Sequence, residues 1–143
     1  MHVARFESDI TMPISYVIDK EQGVALATAS GELTENDLLE HKRKLFSDPE
    51  FRSGFVELSD VRFIEKLNVS PEGIRKFVAQ DSADAPGNKE YKLAIVVSQD
   101  LAFGMGRMYE MSTSKNFSNV RIFRDMQEAR TWLGLAEENS SDA

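Results

Sequence analysis

Tyr91-Lys92-Leu93-Ala94-Ile95-Val96-Val97 is the most nearly continuous apolar run of the chain. Such a run predicts a central parallel strand covered on both faces. Parallel neighbours need crossover connections, so the flanking sequence is read as alternating strands and helices. After the run, Ser98 is placed as an N-cap and Asp100 in the first turn of a helix, complementing its dipole. Before it, Phe55-Val56-Glu57-Leu58-Ser59 reads as another strand. Asp60 to Asn68 then reads as a loop emerging at that strand's carboxyl end, where open α/β sheets place functional surfaces. The helix between the two strands starts at Ser70 as N-cap, with Pro71 at the first helical position and Val69 placed to staple onto Ile74. Ile74, Phe77 and Val78 form its buried stripe, and Asp81 to Lys89, containing Pro86-Gly87-Asn88, reads as a long loop.

Towards the N-terminus, Ile14 to Ile18 and Val24 to Ala29 are strand-forming runs joined by the polar turn Asp19-Lys20-Glu21-Gln22-Gly23, a hairpin. Thr34 is a good N-cap with Asp37 as its capping-box partner, opening a helix to about Phe46 that Asp48-Pro49 ends. Leu38, Leu39, Lys42, Leu45 and Phe46 share the inner side of that helix. His41 falls near the border and is read as a helix-edge residue, not a ligand or base. Towards the C-terminus, Val120 to Phe123 is a last strand. Asp125 caps a final helix with Glu128 at the reciprocal position, Ala129, Trp132 and Leu133 pack inward, and Gly134 stops it. The expected fold is α/β: a mixed, mostly parallel five-stranded sheet with about four helices, in the order β-β-α-β-α-β-α-β-α. Residues 1–13 are expected to be a lead-in, 14–135 a single domain and 136–143 a disordered tail.

At 143 residues, with 41% hydrophobic and 29% charged side chains, the composition is that of a soluble globular chain. The net charge of −7 argues against a nucleic-acid partner, which calls for clustered Lys and Arg. The absence of cysteine excludes disulfides, thiol catalysis and thiolate metal sites. With only His2 and His41, no Ser-His-Asp arrangement or histidine-rich metal centre has convincing material, so neither an enzyme nor a cofactor or metal is expected. No segment approaches the ~18 apolar residues of a membrane span, and a cytoplasmic location is expected.

The helix after Ser98 breaks local rules. Leu101, Met105, Met108 and Ser112 make one row, while Phe103, Arg107 and Met111 fall on a different side, so the helix is apolar over more than one stripe. Gly104 and Gly106 in its interior each cost about 1 kcal/mol against alanine, which points to close approach by another group. Phe103, Gly104, Met105, Gly106, Arg107, Met108, Tyr109 and Met111 are therefore candidates for binding a small nonpolar or lipid-like ligand, or for pairing with a second copy in a homodimer. Gly104-Met105-Gly106 begins like a dinucleotide fingerprint, but Tyr109 holds the third glycine position.

Glu57-Leu58-Ser59-Asp60-Val61-Arg62-Phe63-Ile64 resembles the strand-then-loop signature of the STAS superfamily, in which Asp-Leu-Ser is followed by an apolar residue, any residue, and Phe-Ile. Gly31-Glu32-Leu33-Thr34, Phe103 to Glu110 and Val120 to Asp125 leading to Trp132-Leu133 extend the likeness. From about Ile14 to Leu135 the chain is similar to the SpoIIAA-like group of small bacterial proteins, whose fold also resembles CRAL-TRIO lipid-binding domains. The resemblance implies a non-catalytic binding module or a partner-switching regulator of the anti-sigma-factor-antagonist kind. Such regulators carry a phosphorylatable serine in Asp-Ser-x-Gly after the Phe-Ile. Here Lys66 stands at that place without a gap, and Ser70, followed by Gly73, becomes the candidate phosphorylation site only if an insertion is allowed.

Overall fold

A computed structural model of the chain describes residues 13–70, 72, 73, 76, 91–98 and 120–135. β1 (Ile14–Asp19) and β2 (Val24–Thr34) form the expected antiparallel hairpin, with Ile14 opposite Ala29 and Asp19 opposite Val24. Its turn closes at Gly23, whose φ of 71° lies in the left-handed region that glycine adopts without a Cβ penalty. α1 (Glu35–Ser47) follows directly. Thr34 accepts from the Asp37 amide while the Asp37 carboxylate accepts from the Thr34 N–H, so the capping box is complete in both directions. β3 (Val56–Asn68), β4 (Leu93–Val96), β5 (Val120–Phe123) and α2 (Met126–Leu133) complete the elements. Asp125 caps α2 by accepting from the Glu128 amide, and Gly134 ends it at φ 79°.

The five strands lie in the order β1-β2-β3-β4-β5, antiparallel only at β1. The mixed, mostly parallel sheet is as the sequence led us to expect. The helices expected after Ser70 and Ser98 fall largely outside the described residues, although Glu72, Gly73 and Lys76 are helical. One expectation is corrected. The stretch Asp60 to Asn68 is not a loop but the second half of β3, running parallel beside β2 through Leu33 opposite Leu67 and Thr34 opposite Asn68. Its local signal is weak because the charged residues among it face water; pairing to β2 holds it extended.

Alternation along the strands divides the core between two faces. On one, Ala25, Ala27 and Ala29 of β2 let α1 approach closely, with Leu45, Leu93, Tyr91 and Phe51 filling one cluster and Leu33, Ile64 and Val97 another. On the other, Val24, Leu58, Ala94 and Val96 pack against Ala129 and Leu133 of α2.

Candidate functional site

Along β3, charged side chains collect at its beginning and near its middle. At its beginning, Glu57 is paired in register with Ala25 and Leu93, which places its carboxylate in the α1 layer with no exposure to solvent. Lys42 comes down from α1, 1% exposed, and donates to Oε1 at 2.5 Å. The Tyr91 hydroxyl donates to the same oxygen at 2.7 Å and accepts from Lys42 Nζ. His41 meets Oε2 at 2.7 Å and Ser59 donates to it at 2.9 Å. Because a carboxylate only accepts, the proton on this face of the imidazole is on Nε2. Burial pushes the Glu57 carboxyl up, but the charges and hydrogen bonds of Lys42 and His41 outweigh it and hold the group well below the ordinary carboxylate range. Nearby, Tyr16 of β1 sets its ring edge-on to His41 and donates to Asp48, the residue that closes α1, at 2.7 Å. Burial first, then the Asp48 bond, raises the Tyr16 phenol above its usual range.

This cluster corrects the reading of His41 as a helix-edge residue: it is 7% exposed and paired. Lys42 was placed on the inner side of α1, and it is there. What the sequence left unread is the assembly, since His41 and Glu57 are 16 positions apart and Tyr91 lies 34 beyond Glu57. A signal existed: an amine on an inner helical stripe and a carboxylate within an apolar strand must find each other if both are buried. Chemically the arrangement is closed. Each Glu57 oxygen accepts two hydrogen bonds, which together hold the carboxylate in its charged form opposite the Lys42 ammonium.

Near the middle of β3 the charges are partly exposed. Asp60 grips Arg62 through two bonds of 2.9 Å, from Nε and Nη2, and the guanidinium lies over the Phe63 ring at 5.4 Å. Phe63 itself is 60% exposed. Ser98 donates to the Arg62 carbonyl at 2.9 Å, tying the end of β4 to this segment. Ser70 is exposed and its Oγ accepts from the Gly73 amide at 3.0 Å, the N-cap bond that the sequence suggests. Gly73 packs against the Glu35 carboxylate at the start of α1, where any Cβ would collide with it. Phe103, Gly104, Met105, Gly106, Arg107, Met108, Tyr109 and Met111 lie outside the described residues. Among the described residues, no group of three His, Asp or Glu is placed to hold a metal ion, and no helix is long and apolar enough to cross a membrane.

No protein-family model and no curated protein matches the chain. Solved structures do. One is an uncharacterized protein of the DUF3478 family with a SpoIIAA-like fold from Shewanella loihica PV-4, 22% identical, with a TM-score of 0.54 over 84% of this chain and 93% of that one. Another is an anti-sigma factor antagonist from Mycobacterium paratuberculosis, 14% identical, with a TM-score of 0.56 over 87% of this chain and 97% of that one. Taken with the sheet order and the two-faced core, these likenesses establish that the chain has the SpoIIAA-like, STAS-type fold.

Proposed function

We propose that the chain is a non-catalytic binding module that docks a regulatory protein partner through the segment Asp60 to Gly73. The observation that carries the reading is Phe63. A large aromatic ring, mostly exposed and held under a guanidinium that is itself held by Asp60, is the preorganised aromatic-and-arginine pair that anchors protein interfaces. Ser70, seven residues on, caps a helix by accepting from the Gly73 amide, and the amides of such an N-terminus favour an added phosphate. The fold likeness to an anti-sigma factor antagonist supports a regulatory partner of this kind. The test is to incubate the chain with ATP and extract of its own source, map phosphate by mass spectrometry, and compare what wild type and Phe63→Asp retain. Phosphate on Ser70 and a kinase retained by wild type alone are expected. An unmodified Ser70 together with identical retention by the two proteins would sink the reading.

A nonpolar ligand or a second copy bound on Phe103 to Met111 is a separate proposal, supported by Gly104 and Gly106 within a two-sided apolar sequence. Native mass spectrometry of the protein from its own source tests it. A lipid-sized adduct or a dimer is expected, and a bare monomer sinks it.

A further inference from the structure

Among the described residues, the two faces of the sheet are covered unequally. On the face opposite α1, α2 packs on β4, β5 and the start of β3. Beside it lies the part made by β1, β2 and the far half of β3. Register places Val17 there, opposite Leu26, and Phe63 there, opposite Ser30. At 65% and 60% exposure these are the strongly exposed large apolar side chains among the described residues. The exposed residues between them, Ser15, Thr28 and Ser30, are short. Four positions along β2 and two strand spacings separate the pair, roughly 13 Å by 10 Å, the footprint of a few helical turns.

A sheet face of this kind is buried by a second layer, and α2 displays the layer this face accepts: an amphipathic helix inserting small and branched side chains. Charge selects the occupant. Asp19 stands at one end of the open part, and Glu32 and Glu65 at the other, against Lys66, while Asp60 and Arg62 between them pair with each other. With a net charge of −7, a second copy is repelled and a basic segment attracted. We propose that this open part of the sheet docks a basic amphipathic helix of a protein partner, lying alongside α2 with its apolar stripe on Val17 and Phe63. The proposal rests on the partner-binding reading above and deepens it by stating the partner's chemistry.

Fluorescence anisotropy on the full chain tests it, with a synthetic helical peptide bearing a leucine stripe and lysines elsewhere. Its controls are a scramble of the same composition and a version with Glu for Lys. Wild type binds the lysine helix at least about tenfold more tightly than either control, and Val17→Thr loses about that factor while its melting temperature stays unchanged. Equal binding of the scramble, or no effect of Val17→Thr, overturns the proposal. So does a dimer in sedimentation that Val17→Thr abolishes, since a second copy is then the occupant. If Phe63→Asp abolishes retention of the natural partner but Val17→Thr does not, the partner reading stands and its extension across β1 falls.

Discussion

The beginning and the middle of β3 use the same vocabulary of carboxylate, cation and aromatic ring to opposite effect. Around Glu57 every charge is out of water and every oxygen has its donors, so the group is bound up in holding α1 on the sheet. Around Phe63 the ion pair of Asp60 and Arg62 is partly exposed and leaves the ring facing solvent. An exposed ion pair contributes little to stability, whereas breaking a buried one is costly. The difference teaches where to look for function: in the charges whose removal the fold tolerates.

The sharpest way to break that contrast is Lys42→Met. It leaves the Glu57 carboxylate buried without its main counter-charge, and urea unfolding should lose about 3–5 kcal/mol, with the double variant Lys42→Met/Glu57→Leu recovering most of it. A loss under about 1 kcal/mol would mean that the cluster does not hold α1. The same variant sharpens the pH dependence. Because the folded-state carboxyl of Glu57 is held below its unfolded value of about 4.3, its contribution is complete above that pH and is lost as pH falls through the folded value. Lys42→Met raises the folded value, so the stability gap between it and wild type should narrow between about pH 5 and about pH 2. A constant gap would contradict the assignment. Tyr91→Phe removes a donor to Glu57 and an acceptor for Lys42, and should cost about 1–3 kcal/mol by the same measurement. Thr34→Ala, which opens the capping box of α1, should cost about 1 kcal/mol. In the middle of β3, Phe63→Asp should move stability by no more than about 0.5 kcal/mol while abolishing retention of the partner.

Local chemistry made much of this legible from the sequence. The hairpin turn at Gly23, the caps Thr34, Asp48, Asp125 and Gly134, and the inner position of Lys42 are all written in side chains within a few residues of where they act. The second half of β3 was not legible, because Val61 to Asn68 has no strand periodicity of its own and is drawn out by β2, whose partner residues lie about thirty positions earlier. His41 was misplaced for a related reason. A histidine at the border of a helical stripe turns inward only when something across the fold receives it, and that something, Glu57, belongs to another element. Of the candidate site, Ser70 was visible through its capping pattern, while the exposure of Phe63 emerged only once the faces of β3 were known.

The sheet order β1-β2-β3-β4-β5 is also the order of synthesis. No strand has to be threaded between two that are already paired, so each one leaving the ribosome meets an edge waiting for it. The nascent chain can grow its sheet as a ribbon is woven, row by row. In that order Tyr91, which leaves the ribosome last of the four, closes the Glu57 cluster.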